Sequence, residues 1–518
     1  MTGAAGESPA TQPAARIVAV GLLLPAAAGA LCVFGFAPFY VWGVPIAALA
    51  ALFTVWMRSG SPLQAALSGF AFGLGYFLAG VSWVYVSLHD YGSMPLALAA
   101  LATFLFCAYL AIFPAAAGWL ITRFAGADAN RRLILAPAAL VALEWLRGWL
   151  FTGFPWLGLG TSQAPSSPLA GYAPYLGTYG VSLAVAGAAA IVAAVGMSRA
   201  WSRPRAWLVA GLAAIFVVGG TGKLIAWTQP AGAPVSVALL QGNVSQHLKW
   251  RDEVRAQTLE SYRRMIFEAK ARVIVVPETA LPAFLDQLPR EYLQELREHA
   301  RQSGKDILLG TVEREFKGQD FEYFNSLVRI TGDKLESYRK RHLVPFGEFI
   351  PPGFKWVLNV LKIPMSDFVS GADTQTVLHA GGIAFGVAIC YEDIFGEEVI
   401  DALPTAHALV NVSNDAWFGK SLAADQHLQA SQMRALETGR WMVRSTNTGV
   451  TAVIDPTGRV VKRLPWFTQG ILTADIVPMQ GMTPYARWGN WAAMLLVAAL
   501  AAGALWFRRP VRSSAFVA

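Results

Sequence analysis

Long runs of apolar residues dominate the N-terminal part of the chain. Seven of them cover 17–36, 41–57, 65–87, 95–121, 134–151, 170–197 and 206–227. Each run is close to the ~20 residues that an α-helix needs to cross a bilayer. The pattern predicts a disordered N-terminus over 1–15 and a transmembrane bundle of about seven helices over 16–229.

An eighth apolar run, 489–507, lies near the C-terminus. It predicts a last transmembrane helix over 486–509 and a cytoplasmic tail over 510–518. Arginines follow the second, fourth, sixth and eighth runs, at Arg58, Arg123, Arg131, Arg132, Arg199, Arg203, Arg205, Arg508, Arg509 and Arg512. The loops near 38–41, 88–94 and 152–169 carry no Lys or Arg.

This asymmetry of charge predicts the orientation of the chain. Short loops rich in Lys and Arg stay on the cytoplasmic side of a membrane. The N-terminus is therefore expected inside, and seven crossings place 230–485 outside. In a bacterium with an outer membrane, the chain is then a multi-pass protein of the inner membrane, with 230–485 in the periplasm.

Residues 230–485 have a different pattern, in which short apolar runs alternate with amphipathic segments. Strands are predicted over 235–244, 272–279, 306–312, 383–390, 408–415 and 451–458. Between them, 251–271 and 288–304 have the apolar spacing of helices packed on a sheet. The alternation predicts an α/β layered domain.

Composition and charge narrow the class of protein further. The chain is 55% hydrophobic and 14% charged, whereas soluble domains carry roughly 25% charged residues. Its formal net charge is +8, but the arginines lie at the ends of apolar runs and form no basic block. The charge therefore indicates membrane topology and headgroup contact, and no nucleic-acid partner is expected. The sequence contains no CxxC, HExxH or Gly-rich phosphate loop, so we expect no metal and no cofactor.

Three residues with complementary chemistry lie at or just after predicted strand ends. They are Glu278, Lys340 and Cys390. A thiol is mostly protonated at neutral pH, and a carboxylate can take its proton as the sulfur attacks. A lysine ammonium and the backbone N–H of Tyr391 would stabilise an oxyanion. The structural alternatives are a core cysteine, a glutamate that caps a helix or forms a salt bridge, and a lysine on a basic face beside two arginines.

Four stretches around these residues resemble the nitrilase superfamily: "PETALP", "YRKRHLVPFGEFIP", "CYEDIFG" and "SNDAWFG". Together with the apolar bundle, "EWLRGWLFTGFPWLGLGTSQ" and "TPYARWGNW" resemble the apolipoprotein N-acyltransferase family. The resemblance covers nearly the whole chain after the first fifteen residues. It implies a nitrilase-like αββα sandwich on a bundle of about eight transmembrane helices.

The resemblance also implies roles for individual residues. Glu278 would be the general base, Lys340 the oxyanion-stabilising lysine and Cys390 the nucleophile. The supporting residues would be Glu348, which would orient Lys340 or assist proton transfer, and Tyr391 and Glu392, which flank the nucleophile. Weaker candidates for substrate contact are Trp250, Asn325 and Trp417, and the two tryptophans have core or membrane-interface packing as an alternative.

The function that the resemblance implies is acyl transfer within the membrane. A phospholipid would donate an acyl chain to Cys390, and the α-amine of a diacylglyceryl-cysteine at the N-terminus of an apolipoprotein would accept it. The enzyme is expected to act as a monomer. One alternative is a membrane-tethered amidase or nitrilase that hydrolyses a small C–N substrate, and another is a lipid-binding protein without catalysis. The apolar stretch 351–371 would suit an arm that dips into the membrane interface, or a packed helical loop.

Overall fold

The structure is a computed structural model, which describes residues 11–198, 202–247, 249, 251–318, 320–331, 335–351, 353, 367–375 and 377–506. Within these residues, each predicted apolar run is helical. The helices are α1 (Thr11–Cys32), α2 (Gly43–Arg58), α3 (Pro62–Val81), α4 (Leu96–Ala125), α5 (Ala129–Arg147), α6 (Ala173–Met197) and α7 (Arg203–Gly222). A last apolar helix, Trp491–Trp506, follows the α/β part of the chain.

The predicted count of eight membrane spans is not confirmed. Among the described residues, the helices long and apolar enough to cross a bilayer lie in Pro62–Val81, Leu96–Ala125, Pro168–Met197 and Arg203–Gly222. Gly21–Gly35, Gly43–Arg58 and Trp491–Trp506 are apolar but shorter. Helix α5 carries two arginines in its first turn and Glu144 and Arg147 near its end, which lowers its hydropathy.

The N-terminus differs from the prediction in one respect. Disorder was predicted over 1–15, but helix α1 already begins at Thr11. Residues 1–10 and the predicted tail over 510–518 lie outside the described residues.

The bundle helices approach one another closely at glycines. A Cβ atom at Gly29 of α1 would lie 2.0 Å from the carbonyl oxygen of Phe72 in α3, and one at Gly69 of α3 would lie 2.3 Å from the carbonyl oxygen of Pro114 in α4. Any other residue would therefore push these backbones apart. Contacts between small residues are typical of helices packed in a membrane, where close backbone approach replaces the hydrophobic effect.

The α/β part contains two stacked six-stranded sheets. The first has the order β13-β2-β3-β4-β5-β6 and the second β12-β11-β10-β9-β8-β7. The strands of the first sheet are β2 (Val235–Gln241), β3 (Val273–Val276), β4 (Asp306–Lys317), β5 (Asp320–Arg329), β6 (Glu336–Arg339) and β13 (Gly470–Ile476). Those of the second are β7 (Val377–Ala380), β8 (Ile383–Ile389), β9 (Ala408–Ser413), β10 (Met442–Thr446), β11 (Ala452–Ile454) and β12 (Val460–Arg463). The strands β1 (Thr228–Pro230) and β14 (Met479–Gly481) form a separate pair.

Helices cover the outer face of each sheet. On the first sheet these are α8 (Asp252–Glu268) and α9 (Arg290–Ser303), and on the second α10 (Gly396–Ile400) and α11 (Ala423–Thr438). Two further helices, α12 (Pro484–Trp488) and α13 (Trp491–Trp506), end the described chain. A buried apolar core lies between the sheets and includes Val237, Val275, Leu327, Phe385, Val410 and Val443. The predicted αββα sandwich is therefore confirmed.

Strand direction brings several strand ends to one edge. Strands β2, β3 and β4 are mutually parallel, and so are β8, β9 and β10. Strand β6 is antiparallel to β5, which is antiparallel to β4, so β6 ends on the same side as β3. Functional residues of α/β sheets gather at such carboxyl ends.

Helix α11 joins the α/β part to the bundle. Every residue of this polar helix except Ala430 is buried. Gln426 accepts a hydrogen bond from the indole N–H of Trp156 (2.8 Å), and Glu437 accepts one from the backbone N–H of Thr178 (2.6 Å). Because buried polar groups are costly unless they are hydrogen-bonded, these contacts fix how the sandwich sits on the helices.

Candidate active site

The three residues predicted to react lie at the ends of three strands, two in the first sheet and one in the second. Glu278 follows β3, Lys340 follows β6 and Cys390 follows β8. The Lys340 Nζ atom lies 3.6 Å from Glu278 Oε1, and both side chains are buried. The thiol of Cys390 is close enough to both for their charges to shift its pKa. The structure therefore brings all three predicted residues together.

A second carboxylate completes the surroundings of Lys340. Its Nζ atom lies 2.7 Å from Glu348 Oε2. The Asn325 side-chain amide donates one hydrogen bond to Glu278 Oε1 (2.7 Å) and another to Glu348 Oε1 (2.8 Å). The amide thus bridges the two carboxylates that flank the ammonium, which places the predicted residues Asn325 and Glu348 beside Lys340.

The two carboxylates keep Lys340 charged. Burial alone would lower the pKa of the lysine, but the negative charges of Glu348 and Glu278 outweigh it and hold that pKa above its ordinary value. A buried ammonium of this kind is a fixed positive charge at neutral pH. It is suited to stabilising an oxyanion and unsuited to accepting a proton.

The backbone around the site orients Glu278 further. The N–H of Asn414, in the loop after β9, donates a hydrogen bond to Glu278 Oε2 (2.8 Å). Each oxygen of the carboxylate therefore has a donor, and the group is held in one orientation. Asn414 lies inside the quoted stretch "SNDAWFG", but nothing in that stretch indicates that its backbone N–H would serve this purpose.

Cys390 lies at a sharp turn with an unusual backbone. Its φ angle is +52°, in the left-handed region that residues other than glycine seldom adopt. Burial raises the pKa of its thiol well above the ordinary value, the charge of Glu278 raises it further, and the charge of Lys340 opposes them only in part. The thiol is therefore protonated at neutral pH, and it needs a base to lose its proton during attack.

Glu392 connects the loops that carry Cys390 and Lys340. Its carboxylate accepts hydrogen bonds from the backbone N–H groups of Ile389 (2.6 Å), Arg341 (2.6 Å) and His342 (3.1 Å), and from the Tyr338 hydroxyl (3.0 Å). Burial raises the pKa of Glu392 to about 7, although the backbone donors oppose that effect. One carboxylate thus fixes the separation of the two loops.

Tyr391 and Trp417 contact the bundle. The Tyr391 hydroxyl donates to the carbonyl oxygen of Gly153 (3.1 Å). The Trp417 carbonyl accepts from the Ser87 hydroxyl (2.8 Å). Both residues therefore help to attach the site to the bundle, and the contact of Trp417 with substrate stays a prediction. Trp250 and most of 351–371 lie outside the described residues.

A cluster of buried charged side chains lies behind Cys390, and none of its members was predicted from the sequence. The ring of His427 lies between Asp393 Oδ1 (2.8 Å from Nε2) and Asp415 Oδ1 (2.9 Å from Nδ1). Arg444 forms ion pairs with both aspartates, and all four side chains are buried. Asp393 and Asp415 lie within "CYEDIFG" and "SNDAWFG", so those two stretches were the available signal.

Lys249 is a second buried lysine near Glu278. Its Nζ atom donates to the Thr279 hydroxyl (2.7 Å). Burial lowers the pKa of this amine to about 8, and the charge of Glu278 offsets part of the effect. Lys249 belongs to no pattern in the sequence that would mark it as a site residue.

The fold is that of the carbon–nitrogen hydrolases, whose family model (Carbon-nitrogen hydrolase) matches residues 236–486. A second model, described as the N-terminal domain of apolipoprotein N-acyltransferase, matches residues 28–191. The apolipoprotein N-acyltransferase of Nitrosomonas europaea is 51% identical over 482 residues, which cover 92% of this chain and 96% of that relative. The enzyme of the same name from Methylococcus capsulatus is 47% identical over 487 residues, which cover 92% and 94%. The chain belongs to the apolipoprotein N-acyltransferase family, and the resemblance noted in its sequence is confirmed.

The raised pKa of Cys390 predicts how its alkylation depends on pH. An exposed cysteine titrates near ~8.5 and its alkylation rate levels off above that pH. The rate at Cys390, followed by mass spectrometry with iodoacetamide, should still rise beyond this range. Glu278→Gln removes a charge that raises the pKa, so its profile should move to lower pH. A wild-type plateau at or below neutral pH would show a preformed thiolate and contradict this prediction.

The contact between Glu348 and Lys340 generates a second prediction. Glu348→Gln keeps the shape of the side chain but removes a charge that holds the ammonium in place. Turnover should fall roughly 10²-fold, the scale of losing an oxyanion donor, while thermal unfolding in detergent changes little. Glu315→Gln, at an exposed ion pair with Arg339, is the control and should keep wild-type turnover. Wild-type rates in Glu348→Gln would leave the residue with a structural role only.

Proposed function

We propose that this chain is a membrane acyltransferase that N-acylates lipoproteins through a thioester on Cys390. Membership of the apolipoprotein N-acyltransferase family supports the overall reaction. The observation that carries the assignment of residues is the buried ammonium of Lys340, which lies between Glu278 and Glu348 and close to the half-buried thiol of Cys390. The acyl donor is a membrane phospholipid, and the acceptor is the α-amine of a diacylated apolipoprotein.

In the first half-reaction, Glu278 takes the thiol proton as sulfur attacks the ester carbonyl of the phospholipid. The oxyanion that develops is stabilised by Lys340 and by the backbone N–H of Tyr391. When the C–O bond breaks, the lysophospholipid oxygen takes the proton from Glu278. The products are a lysophospholipid and an acyl thioester on Cys390.

In the second half-reaction, the neutral amine of the acceptor attacks the thioester. The new C–N bond forms as the C–S bond breaks, and the same donors stabilise the oxyanion. Glu278 takes a proton from the attacking nitrogen and returns one to the sulfur. The cycle closes with an amide on the acceptor and a protonated Cys390.

The bundle accounts for the location of the reaction. Donor and acceptor are both held in the bilayer, so a catalytic domain attached to membrane helices meets each of them at the interface.

We further propose eight spans, an inner-membrane location and a catalytic domain in the periplasm, on the basis of the arginine asymmetry. All three proposed reacting residues come from one chain, which is consistent with a monomer. The stretch 351–371 is suited by its composition to reach the interface.

The membrane-tethered amidase or nitrilase is not favoured by the family relationships. It would use the same three residues but would resolve the thioester with water. The catalytic loss that the lipid-binding alternative assumes is not supported either, since the three residues are intact and close together.

Substitution of the nucleophile tests the proposed function. Cys390→Ala should abolish both thioester formation and N-acylation, because the acyl chain then has no carrier. Cys390→Ser should be nearly inactive, since a hydroxyl is a far weaker acid than a thiol. A mass-tagged phospholipid and a diacylated acceptor peptide allow thioester, N-acyl product and free fatty acid to be measured separately.

The matched control for that experiment is Cys107→Ala, which removes the sulfur of a buried cysteine. Cys107 lies in α4, which is distant in sequence from the site residues. It should keep most of the wild-type rate. Label reaching the acceptor amine in Cys390→Ala would refute the assignment of the nucleophile. Free fatty acid as the only wild-type product, with acceptor present, would favour the hydrolase.

Orientation in the membrane is tested by single-cysteine labelling of intact cells with a membrane-impermeant maleimide. Ala127→Cys lies in the exposed loop beside the arginines after α4, and Arg301→Cys lies on the exposed face of α9. Cysteine at 301 should be labelled in intact cells, whereas cysteine at 127 should be labelled only after permeabilisation. The reverse pattern would overturn both the orientation and the periplasmic location.

A further inference from the structure

The peptide group between Cys390 and Tyr391 is held from behind by two side chains. Asn411 Nδ2 donates to the carbonyl oxygen of Cys390 (3.2 Å), and His427 Nε2 lies 3.1 Å from the same oxygen. Both side chains are buried. No step of the acyl transfer described above uses His427, although it contacts the backbone of the proposed nucleophile.

The proton on His427 Nε2 can be assigned from its partners. Nε2 faces two acceptors, the Cys390 carbonyl oxygen and Asp393 Oδ1 (2.8 Å). Nδ1 faces an acceptor, Asp415 Oδ1 (2.9 Å), and a donor, Arg444 Nη2 (2.8 Å). Nε2 therefore carries a proton whether the ring is neutral or charged, and it donates to the Cys390 carbonyl in both states.

Because the peptide group is planar, contacts that fix the Cys390 carbonyl also fix the direction of the Tyr391 N–H. In a trans peptide, the C=O of one residue and the N–H of the next point in opposite directions. A carbonyl of Cys390 fixed toward His427 and Asn411 thus directs the Tyr391 N–H to the opposite side. The turn opens a short 3₁₀ helix, Cys390–Ile394, and the first N–H groups of a helix have no partner within it.

We propose that His427 is a positioning residue that aims the Tyr391 N–H at the oxyanion by holding the Cys390 carbonyl. This inference rests on the proposed function, in which Cys390 is the nucleophile. The strained φ of Cys390 makes such a restraint necessary, because a left-handed non-glycine residue persists only where its surroundings fix it.

The restraint itself is rigid. Arg444 donates to Asn411 Oδ1 (2.6 Å) through Nη1 and to Asp415 Oδ2 (2.8 Å) through Nη2. One buried guanidinium therefore orients Asn411 directly and His427 through Asp415. Turning either side chain away from the carbonyl would break these buried hydrogen bonds, which is unfavourable.

Two amide substitutions of His427 test whether the residue positions the Cys390 carbonyl or only stabilises the fold. Gln places its side-chain nitrogen near the position of Nε2 and can still donate to the Cys390 carbonyl. Asn places its amide near the position of Nδ1, within reach of Asp415 but not of the carbonyl. Both variants remove the imidazole and any charge on it, so they differ mainly in the donor that the proposal requires.

Each variant is measured in two reactions of the same thiol. Thioester formation from phospholipid passes through an oxyanion, whereas alkylation by iodoacetamide does not. His427→Asn should form the thioester roughly 10²–10³-fold more slowly than wild type, as expected for a misplaced oxyanion donor, with alkylation within a few-fold of wild type. The rate of thioester formation should be at least tenfold higher in His427→Gln than in His427→Asn.

The outcomes separate this inference from the proposed function. If His427→Asn slows both reactions equally, or forms the thioester at the wild-type rate, or if His427→Gln gives no recovery, His427 does not act through the carbonyl. If wild-type protein forms no thioester on Cys390, the proposed function itself has failed, and this inference fails with it.

Discussion

A buried cation organises the candidate active site. Removing an ammonium from water costs several kcal/mol unless opposite charges and hydrogen bonds compensate, and Lys340 is almost fully buried. Glu278 and Glu348 supply that compensation, and the Asn325 amide holds them on either side of the lysine. The same contacts fix the ends of strands β3 and β6 relative to each other. The geometry of the site and the positive charge proposed to stabilise an oxyanion therefore depend on the same set of contacts.

The turn that carries Cys390, the proposed nucleophile, is restrained by separate groups. Glu392 ties it to the lysine loop in front, and the cluster around His427 holds it from behind. Tyr391 reaches a backbone carbonyl of the bundle, and the buried polar helix α11 carries His427 while it docks on the membrane helices. The geometry of the candidate site and its attachment to the bundle are therefore parts of the same hydrogen-bonded structure.

Much of this arrangement could be predicted because its signals are local. Apolar runs fixed the positions of the helices, and short β-rich runs placed Glu278 and Cys390 at strand ends. Other features depend on tertiary contacts that local pattern cannot show. Helix α11 has the polar composition of an exposed helix, yet sheet and bundle bury it on all sides, so His427 gave no signal. The use of the Asn414 N–H as a donor to Glu278 depends on how two sheets stack.

Acyl transfer through Cys390 requires a thioester on that residue, and peptide mapping of the protein after incubation with a single defined phospholipid, without acceptor, detects it directly. The peptide containing Cys390 should gain the mass of one acyl group. The added mass should be released by hydroxylamine, and it should be lost to a diacylated peptide amine when that acceptor is supplied. An unmodified Cys390 in protein that has converted the phospholipid to lysophospholipid, or an acyl group on another residue, would exclude Cys390 as the carrier of the acyl chain.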